Sequence, residues 1–433
     1  MKRRTFLLGL TAAGVGAAAI LKPQDAGAPY SSYFRQLNET LKKDGPYRPM
    51  LLIDLDKLDR NIRALRRLVP TGMAYRIVAK SLPSPGLLSY LMARTETRRL
   101  MVFNHTFLKQ TAIDFPDSDV LMGKPMPAKA AAAFYREFEP IYRAGAGLAG
   151  AGVFDPQRQL QWLVDTDERL MQYQQLASQL GVRMRINIEL DVGLHRGGLQ
   201  SPEQLQPLMD RILAQPQSLE FSGFMGYDPH VVKLPRFIKS APEAYAQSQA
   251  IYRSFLDWIR AHYPQVDVAS LCLNGAGSPS MVLHRQGSVI NDLSAGSCLV
   301  KPTDFDIPTL EMFEPAAYIA TPVLKGSAGI ALPGLESIKD LAPKWNANWQ
   351  QTYFMYGGKW LARLESPAGL RGNGLFGTSS NQEIVNGSRR TQLDVDDHIF
   401  LRPTQSEAVL LQFGDILAFR GATIEAAWPV LDS

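Results

Sequence analysis

The chain is poor in the residues that build metal centres and covalent frameworks. Only two cysteines, Cys272 and Cys298, occur in 433 residues. Two cysteines make no disulfide framework. Both lie in apolar stretches, where burial as free thiols is the expectation. The six histidines include no His-x-x-x-His pair, and no zinc-type Cys/His spacing exists. Internal repeats and long runs of like charge are also missing, which excludes a solenoid and a charged interaction tail. Net charge is scarce as well. Of the formal +5, Lys2, Arg3, Arg4 and Lys22 against Asp25 put +3 into the first 28 residues. The body is left nearly neutral, with no electrostatic case for nucleic acid.

What is present begins with a targeting pattern. Lys2-Arg3-Arg4-Thr5-Phe6-Leu7-Leu8 is a twin-arginine signature, followed by an uncharged, Gly/Ala-rich run through Ile20 that is short and mild for a membrane span. It predicts a signal segment over residues 1–28 that engages the twin-arginine export machinery, cleaved near Ala26 to Ala28, and a periplasmic location. The rest, with 45% hydrophobic and 20% charged residues, reads as an ordinary globular chain.

From Met50 the pattern alternates. Strands are expected at 50–55, 75–79, 99–103, 118–122, 159–165, 182–190, 219–226 and 268–274. Helical periodicity falls between most of them, as at 57–68, 127–139, 166–180, 201–214 and 241–262. Eight strands alternating with helices predict a (β/α)8 TIM-type barrel over 45–314, with an open doubly wound sheet as the competitor. From about 315 the periodicity fades into short strand-like runs at 319–324, 351–356, 398–402, 407–413 and 415–419. These predict a C-terminal β domain over 315–433, completed by the segment before Met50. Gly145-Ala146-Gly147-Leu148-Ala149-Gly150 matches a dinucleotide fingerprint. No clear strand precedes it and Pro156 follows where a helix should run, so a Gly/Ala loop is the better reading.

On a barrel, chemistry gathers at the C-terminal ends of strands. Tyr75-Arg76-Ile77-Val78-Ala79-Lys80-Ser81 ends an apolar strand in a lysine. Further on, Glu189-Leu190-Asp191-Val192-Gly193-Leu194-His195-Arg196-Gly197-Gly198 sets two acids, a histidine and an arginine among glycines. Arg196 there suits an anion, while His195, Glu189 and Asp191 suit structural roles. Gly223-Phe224-Met225-Gly226-Tyr227-Asp228-Pro229-His230 places Tyr227 and His230 about a turn, equally able to pack or to hydrogen-bond a ligand. Asn274-Gly275-Ala276-Gly277-Ser278-Pro279-Ser280 is a loop of small residues whose backbone N–H groups could cradle a phosphate, or which could be a simple tight turn. A strand-end amine together with a phosphate grip is the pairing that pyridoxal phosphate requires.

With Asp54-Leu55-Asp56-Lys57-Leu58-Asp59-Arg60-Asn61-Ile62 before them, these motifs resemble, in order, the fold-type III pyridoxal phosphate enzymes. This is the alanine racemase-like barrel group, and the likeness is to its D-threonine aldolase and D-serine dehydratase-like branch. The resemblance spans roughly residues 45–310. It implies that Lys80 is the Schiff-base lysine and the base at the substrate's α-carbon. It also implies that Arg196 lies by the cofactor's phenolic oxygen, Tyr227 near the cofactor, and Gly275, Gly277 and Ser278 on the phosphate. The chain departs from that branch where a divalent metal is usually bound through Pro-x-His-x-Cys or Pro-x-His-x-Asp. Here Arg402-Pro403-Thr404-Gln405-Ser406-Glu407 offers a neutral amide at the histidine position, and no Glu-His occurs near Ser379-Ser380-Asn381-Gln382-Glu383. No metal is therefore expected. Ser294 also stands where relatives often carry arginine.

The expectation is a pyridoxal phosphate-dependent lyase, of aldolase or dehydratase type, acting on a small D-configured amino acid. The alternatives are a racemase of the same fold, for which Tyr353 or Tyr356 would have to supply a second proton donor, and a non-catalytic pyridoxal phosphate-binding protein. Relatives often form homodimers, a point on which the composition is silent.

Overall fold

A computed structural model describes residues 22–146, 152–235, 237–330, 341–374 and 377–432. Residues 1–21 of the twin-arginine segment and residues 147–150 of the Gly/Ala stretch lie outside the described residues; the helix Ala128–Ala146 runs into that stretch. No helix among the described residues is long and apolar enough to cross a membrane. The chain divides into two compact units. One comprises residues 54–316, 405–416 and 427–433, the other residues 1–53, 317–404 and 417–426.

The second of these units is built on a nine-stranded sheet. Its strands are β1 (Met50–Asp54), β10 (Ala317–Ala328), β11 (Gln351–Tyr356), β12 (Ala362–Ser366), β13 (Arg371–Gly372), β14 (Gln382–Gly387), β15 (His398–Pro403), β16 (Ile416–Arg420) and β17 (Thr423–Trp428). The path runs β13-β14-β11-β10-β1-β16-β17, with β15 joining β10 and β12. The helix Ser32–Asp44, capped by Ser31, lays Leu37 and Leu41 on Met50, Leu52, Tyr318 and Phe400. Asn38 fixes it there, donating to Asp397 Oδ1 (2.9 Å) and accepting from the His398 amide (2.8 Å).

The first unit is a closed parallel barrel of β2 (Ala74–Val78), β3 (Arg99–Val102), β4 (Asp119–Met122), β5 (Leu160–Val164), β6 (Met184–Glu189), β7 (Leu219–Gly226), β8 (Cys272–Gly275) and β9 (Asp292–Ala295). The helices begin and end where the sequence punctuates them. Asp54 caps Leu55–Leu68, Thr166 caps Asp167–Leu180 with Gly181 closing it at φ +64°, and Ser240 with Glu243 forms a capping box for Ala241–His262. Buried faces such as Leu58, Ile62 and Leu65 then cover the strands.

One expected strand changes place, and a strand that was not expected takes over its position in the barrel. Met50–Ile53 is not the first barrel strand. It pairs antiparallel with Ala317–Ala320, as an interior strand of the other sheet with all five β1 residues buried. An all-apolar run reads the same in either setting. The barrel is closed instead by Asp292–Ala295, whose Leu293 pairs with Tyr75. That strand carries Asp292 because the barrel interior near its start holds a buried ion-pair network. Asp292 is fully buried, bonds Arg76 through both oxygens (2.9 and 3.0 Å) and meets Arg99 at 2.6 Å. Arg76 also reaches Asp119 Oδ1 at 2.7 Å. A third correction lies at 407–413, where the expected strand is replaced by a short helix, Glu407–Leu410, with Val409 and Leu410 buried. Cys272 and Cys298 are buried free thiols, and burial pushes both up to about 12.

Candidate active site

With β9 closing the barrel, each strand named in sequence moves down one place: Lys80 follows the first strand, Arg196 the fifth, Tyr227 the sixth and the glycine loop the seventh. Their loops converge on one cleft.

Lys80 sits in a single tight turn, Ala79–Ser81, between β2 and a helix that starts at Pro85 with Ser84 as its cap. Proline at the first helical position and a serine cap fix where that helix begins, so the lysine has little backbone freedom. Its Nζ lies 2.8 Å from Glu407 Oε1 and 4.4 Å from the centre of the Phe103 ring.

Arg196 is carried by a loop that Leu190 and Leu199 pinch shut. Asp191 organises it, accepting from the amides of Gly193 (3.0 Å) and His195 (2.9 Å) and from the His195 ring (2.8 Å). Burial works to raise the Asp191 carboxyl, but those hydrogen bonds outweigh it and hold the group below the ordinary carboxylate range. Gly198 has φ +94°, and a Cβ there would lie 2.5 Å from the Asp191 nitrogen, so this turn requires glycine. The Arg196 guanidinium stands 4.9 Å from the centre of the Tyr227 ring. His195 is bound to Asp191 with its side chain 80% exposed, a loop-shaping role. Burial, then the nearby Asp165, lift the Glu189 carboxyl from an ordinary 4.5 to about 7, against the pull of Arg196.

Tyr227 is raised by burial, with Arg196 opposing, and packs so closely on Gly277 that a Cβ there would lie 2.5 Å from its ring. Behind the turn, Asp228 accepts from Ser280 Oγ (2.6 Å) and pairs with buried His284 (2.9 Å). His230 packs against Gly193 and meets Ser248 Oγ at 3.3 Å, and burial lowers its imidazole.

The glycine loop differs in detail from expectation. Gly275 ends β8, in contact with Ile290, while Ala276, Gly277 and Ser278 line the cleft. Ser278 Oγ accepts from the amides of Gly296 (3.2 Å) and Cys298 (3.1 Å), so it ties this loop to the one after β9. Among the described residues the N–H groups of Gly277, Ser278 and Ser297 have no protein acceptor. Buried amides left unsatisfied on two adjoining loops form an anion cradle. Sequence reasoning missed Ser297, Phe103 and Glu407. The first lies behind a strand whose buried Asp292 disguised it, and Glu407 is remote in sequence and sits in a segment read as a strand.

Gln405 donates to Asp304 (3.2 Å). Among the described residues no group of three or more His, Cys, Asp or Glu side chains could hold a metal ion. The cleft offers the Lys80 amine, the Arg196 guanidinium, the Tyr227 and serine hydroxyls and a set of backbone amides. It fits a small planar aldehyde that also carries a phosphate.

Comparison with known proteins agrees. No curated protein sequence matches the chain. Among solved structures, the D-threonine aldolase from Filomicrobium marinum superposes with a TM-score of 0.64 at 16% identity, over 89% of this chain and 97% of that one. The D-threo-3-hydroxyaspartate dehydratase from Delftia sp. HT23 gives 0.65 at 14% over 95% and 100%, and the alanine racemase from Bacillus anthracis 0.65 at 12% over 89% and 98%. At such identities these likenesses establish the fold. The model of the alanine racemase N-terminal domain matches residues 53–302, and the chain belongs to that family, the fold-type III pyridoxal phosphate enzymes.

Proposed function

We propose that this chain is a pyridoxal phosphate-dependent lyase, of aldolase or dehydratase type, acting on a small D-configured amino acid and exported by the twin-arginine route. The observation that carries it is the convergence of Lys80 and the unsatisfied amides of Gly277, Ser278 and Ser297 on one cleft. The amides suit the phosphate, Lys80 the carbonyl carbon, and Arg196 with Tyr227 the wall beside them. When bound, the cofactor supplies an electron sink for a bond broken at the substrate's α-carbon. Lys80 then moves a proton at that carbon.

Glu407 does not supply the second proton carrier that a racemase needs. Inversion needs proton carriers on opposite faces of one carbon. Lys80 Nζ and Glu407 Oε1 are 2.8 Å apart, so they serve the same face. Tyr227, whose hydroxyl is raised by burial, is a poor second base; of the two C-terminal candidates Tyr353 is buried with its hydroxyl bonded to Thr391 (2.9 Å), while Tyr356 is exposed. The D configuration and the lyase class are those of the D-threonine aldolase and the D-threo-3-hydroxyaspartate dehydratase to which the chain is similar.

Incubation of the loaded protein with D-threonine, D-serine and both alanine enantiomers tests this. Acetaldehyde with glycine from D-threonine, or pyruvate with ammonia from D-serine, is expected. Inversion of alanine without either product would make it a racemase. Inertness towards all four, with cofactor bound, would leave a binding protein.

A further inference from the structure

The anion cradle is aimed from behind. The peptide bond between Gly277 and Ser278 is trans, so its C=O and its N–H point opposite ways. The carbonyl is tied down. It accepts from the amides of Ser280 (3.1 Å) and Met281 (2.9 Å), and Ser280 Oγ lies 3.4 Å from it. The Ser278 N–H is thereby turned away from the body of the loop, and Ser278 lines the cleft. Whatever fixes Ser280 therefore fixes the direction of an amide of the cradle. That anchor is Asp228. Its Oδ1 accepts from Ser280 Oγ at 2.6 Å, and both side chains are buried. Asp228 directly follows Tyr227, whose ring leaves no room for a Cβ on Gly277. Two consecutive residues thus clamp the loop, one at Gly277 and the other at Ser280.

A carboxylate near a phosphate would repel it unless its charge is answered. The hydrogen bonds around His284 supply the answer. Gln249 Oε1 accepts from the Val289 amide (2.8 Å) and from Ser288 Oγ (3.2 Å). With its own proton given to Gln249, Ser288 Oγ accepts from His284 Nδ1 (3.0 Å), which places a proton on that nitrogen. The 2.9 Å contact between His284 Nε2 and Asp228 Oδ2 then needs one further proton, on one side or the other. As imidazolium with carboxylate, or imidazole with carboxylic acid, the buried pair is neutral as a whole. We propose that Asp228 is a positioning residue. Through Ser280 it aims the Ser278 amide at a phosphate, and with His284 it does so without adding net charge to the site. The proposal rests on the proposed function, in which this cradle holds the phosphate of the cofactor.

The test compares pyridoxal phosphate with pyridoxal, which has the same ring and aldehyde but no phosphate, by equilibrium dialysis against each variant. The ratio of the two dissociation constants isolates the phosphate grip, whereas a loss of general structural support weakens both ligands alike. Wild type should prefer pyridoxal phosphate by about a hundredfold or more. Ser280→Ala should cut that preference about tenfold and leave pyridoxal binding unchanged. Asp228→Ala should do the same, and combining the two should lose nothing further, because both remove one link. Asp228→Asn keeps an acceptor for Ser280 and a partner for His284, and should keep the preference. Ser280→Ala decides the matter even where Asp228→Ala does not fold. An unchanged ratio in Ser280→Ala, or an equal loss of both ligands, would overturn this inference alone. A wild-type chain that binds pyridoxal and its phosphate equally, or neither, would overturn the proposed function with it.

Discussion

Lys80 owes its position to its neighbours on the chain. A buried strand delivers it, a three-residue turn holds it, and Ser84 with Pro85 starts the next helix at once. Gly277 is its counterpart at the other end of the cleft, where the Tyr227 ring leaves no room for a β-carbon. Gly277→Ala should therefore displace Tyr227 and weaken pyridoxal phosphate binding by about tenfold, roughly 1.4 kcal/mol, as measured by equilibrium dialysis, while the fold is retained. Glu189 yields a pH prediction. Its carboxyl ionises near 7 in the fold against 4.5 ordinarily, so the native state holds the proton more tightly than the unfolded chain. That contribution to stability is complete below about pH 4.5 and is lost as pH rises through 7. Glu189→Gln removes the penalty of the buried charge. It should raise the melting temperature at pH 8 by about 2 °C or more and change it less at pH 5.

At the level of elements, β9 is the one most dependent on its partners. Asp292 is wholly buried against Arg76 and Arg99, and Asn274 donates to it as well. Burial works to raise that carboxyl, and the two guanidinium groups hold it below the ordinary range instead. Asp292→Asn leaves Arg76 with Asp119 as its remaining carboxylate and should cost about 3 kcal/mol in denaturant unfolding. If the loss were within error, the network would not be what closes the barrel. The same residue explains what the sequence concealed. Helices with clear apolar faces and caps, such as Asp167–Leu180 and Ala241–His262, were legible almost to the residue. Asp-Leu-Ser-Ala does not look like a core strand, because its polar members are satisfied by partners far away in the chain. Met50–Ile53 looked like a barrel strand because burial on both faces erases alternation in either kind of sheet. The loops around Lys80, Arg196, Tyr227 and Gly277 were legible because each lies beside a strand end. Glu407, more than 300 residues from Lys80, could be connected to it only by folding.

Taken as a whole, the molecule keeps its chemistry at one rim of a barrel, where the loops after the first, fifth, sixth, seventh and eighth strands meet, and its strongest buried charge network inside near the strand starts. The amide cradle has nothing in the protein to bind, and the lysine beside it has a counter-ion rather than a structural partner. The nearly neutral body adds no long-range field, so recognition is left to these local groups. That account rests on Lys80 joining the cofactor. Treating the protein with pyridoxal phosphate, reducing with borohydride and mapping the labelled peptide by mass spectrometry tests it most directly. A single phosphopyridoxyl group on Lys80, absent from Lys80→Ala, is the predicted result; label on other lysines with Lys80 unmodified, or no label at all, would contradict it.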